Sequence, residues 1–166
     1  MGEIDSLAGE IHYHNSLIGA NGIRKFGVVE QQPFIFQETL AYNLVFSEEI
    51  VDEQRLMEVL QQVGLAYLAN SESLREPLMN KARLLSGGEI KRLEVARAIL
   101  QQQPVLVVDE AYSGLDAQQI LDLSQVFAAY PGTIIDIEHH LDDNSRGIYT
   151  QCWTIQAQQL IVEKIA

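Results

Sequence analysis

Leu85-Ser86-Gly87-Gly88-Glu89 is followed, 23 residues after its serine, by Asp109-Glu110 at the end of the apolar run Val105-Leu106-Val107-Val108. A serine and two glycines opening a helix turn bare backbone N–H groups outward, and those unpaired donors, with the positive end of the helix dipole, suit phosphate oxygens. An apolar strand ending in adjacent carboxylates supplies the complement. The first carboxylate can help hold Mg2+ and the second can polarise a water. Together they make half of an ATP-hydrolysing site. No G-x-x-x-x-G-K followed by Ser or Thr occurs in the 166 residues, so the loop that would cradle the β- and γ-phosphates of the chain's own nucleotide is missing from them.

The surrounding pattern is that of alternating strands and helices. Ile11 to His14 and Phe26 to Val29 read as short strands separated by the turn-rich Gly19-Ala20-Asn21-Gly22. Leu56, Val59, Leu60 and Val63 mark one buried face of a helix whose N-terminus Asp52 and Glu53 suit. Ile90, Leu93, Ala96 and Leu100 mark a second helix that begins at the two glycines and stops before Pro104. Val105 to Val108 then suits a strand buried on both faces of a parallel sheet. A third helix carries Ile120, Leu123, Phe127 and Tyr130, ends at Pro131-Gly132, and leads into a strand from Thr133 to Ile137. Cys152 to Ile155 and Leu160 to Val162 read as a closing hairpin whose turn lacks a glycine. In such α/β sheets ligands gather at the carboxyl ends of the strands, and there Gln31, Asp109, Glu110 and His139 converge on one edge.

Composition narrows the partners. Eleven Lys and Arg against 23 Asp and Glu give a formal charge of −12, which argues against a nucleic-acid surface. The 47% hydrophobic content supplies a real core for one medium domain. Cys152 alone forms no internal disulfide, which fits a reducing compartment. No apolar run approaches the roughly 20 residues of a membrane span, and Met1-Gly2-Glu3-Ile4-Asp5 lacks the basic start of a signal peptide. Membrane contact is expected to go through a partner.

In this order and at this spacing, the residues resemble the nucleotide-binding domain of an ABC transporter of the exporter type, over nearly the whole chain. The resemblance implies an α/β, P-loop NTPase core with a mainly parallel sheet (1–36 and 101–166) and an inserted helical subdomain (37–100). Gln31, before Pro33-Phe34-Ile35-Phe36, is similar to the Q-loop glutamine that touches Mg2+ and the attacking water. Ser86, Gly87, Gly88 and Glu89 resemble the signature loop that binds the γ-phosphate of ATP held by the opposite subunit; Glu89 stands in place of the commoner glutamine. Asp109 resembles the Mg2+-binding Walker B aspartate and Glu110 the general base. Ser113-Gly114-Leu115-Asp116 resembles the D-loop, and His139 the switch histidine, with His140 as the alternative one position on. Glu138 replaces the usual small residue before that histidine, and Glu76 to Arg83 lacks the glycines of many exporters. Implied cofactors are ATP and Mg2+. Implied partners are a second nucleotide-binding domain, identical or not, and the transmembrane domains of an exporter on the cytoplasmic side of the cell membrane. Gly2-Glu3 and Ala8-Gly9-Glu10-Ile11 resemble the segment just after the Walker A helix, so the first strands are expected to be absent and the chain alone inactive.

Two other functions fit parts of the pattern. A non-hydrolysing pseudo-ATPase or regulatory fragment would lend its signature loop to a partner's nucleotide. A chromosome-maintenance or repair ATPase of the same superfamily would need a heptad-patterned coiled coil between Gln31 and Ser86, and those 55 residues hold none. Locally, Glu110 is also readable as a cap of the following helix, and His139 as a sheet-edge histidine paired with Glu138. His12 and His14 share a strand face but lack an evident third metal ligand. Glu48, Glu49, Asp52 and Glu53 read as a solvated helix start, and Cys152 and Trp153 as packing residues.

Overall fold

The computed structural model describes residues 12–13, 16–17, 26–31, 33–47, 52–78, 85–139 and 146–165. The sequence matches at 2–11, His14, the turn at 19–22, Gln32, Glu48, Glu49, residues 79–83 and His140 lie outside the described residues. The strands β1 (His12–Tyr13) and β2 (Ser16–Leu17) form an antiparallel pair. Three longer strands, β3 (Phe26–Val29), β4 (Val105–Asp109) and β5 (Thr133–Ile137), form a parallel sheet in the order β3-β4-β5. Val105 to Val108 is buried throughout, as a central parallel strand covered on both faces requires. Val29 pairs with Val108 and Asp109 with Ile137, so the three strands end almost level. The residues just beyond them therefore share one edge.

Between β3 and β4 the described elements are helical: α1 (Leu40–Val45), α2 (Glu53–Gln62), a 3-10 turn Ala66–Leu68, α3 (Ser71–Arg75) and α4 (Gly87–Gln101). Asp52 caps α2 by accepting from the N–H groups of Gln54 and Arg55, and Leu56, Val59 and Leu60 form its buried face. One hydrophobic cluster runs from Leu44, Leu60 and Leu74 through Leu93 to Val29 and Val108, so helices and sheet share a single core. Each of these leucines contributes about 1.5–3 kcal/mol by leaving water.

The buried face of α4 is not purely apolar. Lys91, Glu94 and Arg97, three residues apart, are all buried. Arg97 donates to the Asn43 carbonyl (2.5 Å), the Asn43 side-chain oxygen (3.0 Å) and the Phe34 carbonyl (2.6 Å). Asn43 in turn donates to the carbonyls of Phe36, Glu38 and Thr39 and accepts from the Phe36 N–H at 2.8 Å. These bonds hold the loop after Gln31 in one shape, because a buried guanidinium left unpaired is costly.

After β4, Asp116 and Gln119 form a capping box that starts α5 (Ala117–Ala128), with Leu123 and Phe127 buried. Tyr130 lies beyond the helix end, and its hydroxyl donates to the Gln103 carbonyl at 2.6 Å. Gly132 is required where the chain turns into β5: a Cβ there would lie 2.7 Å from the Pro104 carbonyl oxygen and 2.8 Å from the Tyr130 ring. The strands β6 (Gln151–Gln156) and β7 (Gln159–Lys164) form the expected hairpin. Ala157 and Gln158 both take positive φ (48° and 64°), which is how a two-residue turn closes without glycine. Trp153, expected to pack, is instead 60% exposed, because its cross-strand partner Val162 is also on the surface and nothing described covers that face.

Candidate functional site

Glu110 is the centre of the sheet edge. It leaves β4 in the left-handed region (φ 51°), which costs a residue with a Cβ on the order of 1–2 kcal/mol. Its N–H donates to the Ile137 carbonyl at 3.0 Å, tying the turn to the end of β5. The carboxylate is held on both oxygens: Gln31 Nε2 donates to Oε2 at 2.7 Å, and His139 Nε2 meets Oε1 at 2.9 Å. Three strand ends thus bring together three residues that lie far apart in the chain. Neither alternative reading describes this arrangement. Asp116, not Glu110, caps the following helix, and His139 pairs with Glu110. Glu138 turns inward and accepts from the Tyr112 N–H at 3.4 Å. Since a carboxylate only accepts, Gln31 must present its amide NH2 to Glu110, which keeps its own oxygen out of that bond. Asp109, half-buried, ends β4 beside this group.

The second group of residues lies at the start of α4. Ser86 caps the helix by accepting from the Glu89 N–H, and Glu89 accepts from the Ser86 N–H at 2.7 Å and its hydroxyl at 2.8 Å. The Tyr67 hydroxyl donates to the other Glu89 oxygen at 2.8 Å. The Ser86 N–H, with the Ser86 and Tyr67 hydroxyls, holds the Glu89 carboxyl below its usual range, against the opposing effect of burial. A Cβ at Gly87 would meet nothing within 4 Å, whereas one at Gly88 would lie 2.9 Å from Leu115. Gly87 therefore offers open backbone to a ligand, and Gly88 lets α4 approach the turn before α5. Asp116 accepts from the Gln119 N–H at 2.9 Å as part of that turn, apart from the bonds around Glu110.

Behind the edge lies a polar cluster that the sequence did not announce. The Tyr149 hydroxyl donates to Asp136 Oδ2 and lies 3.3 Å from the Tyr112 hydroxyl. Among the described residues, Asp136 Oδ1 is buried with no hydrogen-bond partner. Burial pushes the Asp136 carboxyl up, and burial together with Asp136 pushes Glu138 up. A raised carboxylate makes the native state bind a proton that the unfolded chain has released. Stability therefore falls as pH rises from the ordinary Asp value of 3.8 through the raised one. Asp136→Asn is expected to remove its share of that loss and to raise stability at neutral pH. Thermal unfolding from about pH 4 to pH 7 checks this; an unchanged pH slope in the variant would refute it.

Lys91 and Tyr67 also escaped the sequence reading. For Lys91 the available signal was a lysine, a glutamate and an arginine at three-residue spacing on a helix otherwise read by its apolar positions. For Tyr67 there was none, because its contact with Glu89 spans 22 residues of chain. Among the described residues no cluster of three or more His, Cys, Asp or Glu is placed to hold a metal, and His12 belongs to no such group.

A family model described as ABC transporter matches residues 1–113. The chain belongs to the ABC transporter family. It is 35% identical over 149 residues to the ATP-binding/permease protein CydC of a glutathione/L-cysteine transport system from Escherichia coli (strain K12), covering 86% of this chain and 26% of that protein. It is 36% identical over 94 residues to an ATP-dependent lipid A-core flippase from Neisseria meningitidis serogroup A / serotype 4A (strain DSM 15465 / Z2491), covering 55% of this chain and 15% of the flippase. The chain thus spans about a quarter or less of the length of these curated relatives. Its fold matches the solved structure of a bacterial Atm1-family ABC exporter with ATP bound, at a TM-score of 0.80 and 22% identity, over 95% of this chain and 29% of that one. The α/β class with a parallel sheet is therefore that of an ABC ATPase. Among the described residues no helix is long and apolar enough to cross a membrane.

Proposed function

We propose that this chain is part of the ATP-binding and ATP-hydrolysing domain of an ABC exporter, and that it supplies two separate pieces of ATP chemistry. The observation that carries the reading is Glu110, held by Gln31 on one oxygen and His139 on the other at the carboxyl edge of the sheet. As general base it takes the proton of the attacking water, and the two donors fix the direction of its lone pairs. His139 is 82% exposed on its side chain, against 19% for Glu110, so it is the partner able to swing toward a phosphate and uncover Oε1 for water.

Asp109 and the Gln31 oxygen are hard oxygen donors of the kind Mg2+ takes, with the remaining positions left to phosphates and water. When bound, the ion supplies charge neutralisation on the phosphates. The second piece is the Ser86–Glu89 loop. The outward N–H groups of Gly87 and Gly88 suit the γ-phosphate of ATP held by an opposing nucleotide-binding domain. Glu89 and Asp116 shape the loop and the adjoining turn through their capping bonds. Such a dimer, attached to transmembrane domains on the cytoplasmic side of the membrane, would use closure around ATP to drive transport. A second reading is a fragment that lends only its signature loop to a partner. What favours it is that the 166 residues carry no P-loop motif.

The two readings separate in one experiment. The purified chain alone is expected to show no Mg2+-dependent ATP turnover above background, while the assembled transporter turns over ATP in a way that depends on Glu110. Robust hydrolysis by the chain alone would show that phosphate binding needs no P-loop from elsewhere. Turnover in the assembly that ignores Glu110 would favour the signature-donor reading.

A further inference from the structure

Lys91 sits in the first third of α4 with 5% of its surface exposed, an expensive place for an ammonium group unless it is paired. Its Nζ donates to two backbone carbonyls, that of Glu30 just past the end of β3 and that of Asp109 at the end of β4, the latter at 3.0 Å. Those carbonyls belong to the peptide groups whose N–H groups are those of Gln31 and Glu110. The ammonium therefore fixes the peptide plane immediately before each of the two residues that face one another at the sheet edge. Glu94, one turn further along α4, is buried as well. Burial lowers the Lys91 amine, and the carboxylates of Glu94, Asp109, Glu138 and Glu110 oppose that and favour its charged form. A leucine at this position would fill the same space without either bond.

We infer that Lys91 is a positioning residue that locks the Gln31–Glu110 pair to the helix carrying the signature loop. The inference rests on the reading of Glu110 as the base. Ser86 and Lys91 lie about 7.5 Å apart along the axis of one rigid helix. A small shift of α4 when a phosphate docks at its N-terminus is therefore transmitted to both carbonyls at once. Packed helices shift as units rather than bend. The chain's own water-activating pair thus responds to occupation of the site to which it lends its signature loop.

The test compares K91M, whose unbranched apolar side chain is one atom shorter and removes every donor, with K91Q, which is of similar length to Met but keeps an amide donor able to reach one carbonyl. In the chain by itself, amide hydrogen exchange is expected to quicken about tenfold or more at both Gln31 and Glu110 in K91M, the scale of one lost hydrogen bond from a charged donor. In K91Q it quickens at one of them, and the amides of Val95 to Ala98 stay as in the wild type. In the assembled transporter K91M lowers kcat by about tenfold with KM for ATP within about twofold, and K91Q lowers it less. Wild-type exchange at both amides in K91M, equal loosening along all of α4, or an unchanged kcat would overturn the inference. If K91M does not fold, K91Q decides alone, and wild-type exchange at both amides then overturns it. If the wild-type assembly hydrolyses no ATP, the functional reading fails while the exchange comparison still decides whether Lys91 fixes the pair.

Discussion

Glu110→Gln in the assembled transporter lowers ATP turnover by roughly 10²–10⁴-fold, the span attributable to one general base, and leaves ATP binding in place. The substitution preserves shape but not hydrogen-bond polarity. Glu110 now accepts on both oxygens, from Gln31 Nε2 at 2.7 Å and from His139 at 2.9 Å. A glutamine there offers one acceptor and one donor, so its NH2 would confront that of Gln31 and force Gln31 to turn its oxygen inward. Proton abstraction is lost and the cation-facing oxygen is redirected, while phosphate binding at the helix start is untouched. Steady-state hydrolysis alongside equilibrium ATP binding measures both halves. Turnover at the parent rate would remove Glu110 from the role of base. His139→Ala is the companion variant and is expected to slow turnover as well.

Gly87→Ala carries the second large effect because it separates folding from function. Nothing lies within 4 Å of a Cβ at Gly87, so the methyl group fits, and alanine in the first turn favours the helix by up to about 1 kcal/mol. The chain should be as stable as the parent or slightly more so in thermal unfolding. The same methyl group stands where a phosphate must approach the bare N–H groups, so ATP-dependent closure is expected to weaken by about tenfold or more, as for loss of a preorganised backbone donor. Gly88→Ala gives a different pattern. Its methyl group meets the end of Leu115 at 2.9 Å, so the first change is a displaced leucine in the turn before α5.

The parts of this fold that repeat a local rule were legible in advance. Val105 to Val108 announced a doubly covered strand because four consecutive apolar residues suit no half-exposed one, and it is buried throughout. The strand ends placed Gln31, Asp109, Glu110 and His139 on one edge, since parallel strands in register end together. Ser86 and the two glycines marked the start of a helix, and there Ser86 forms a capping box with Glu89. What stayed hidden depends on contacts across long stretches of chain or on backbone shape. The left-handed φ of Glu110 has no signature in a residue that normally avoids it. Lys91 has no periodic signature, because periodicity reads apolar residues while its partners are backbone carbonyls 61 and 18 positions away. Asp136 gives no sequence signal within Thr133 to Ile137, because what engages it is Tyr149, 13 positions away. Trp153 was expected to pack because tryptophan usually does, but its hairpin presents that face to solvent.

On the proposed reading, Glu110 activates water in one ATP site while the loop at Gly87 closes over ATP in another. That reading is tested most directly by how long the Glu110→Gln transporter keeps ATP after dilution into nucleotide-free buffer. With hydrolysis blocked, ATP should remain trapped between the domains, and adding Gly87→Ala to the same chain should release it about tenfold faster or more. Trapped ATP that is indifferent to Gly87→Ala would contradict the account.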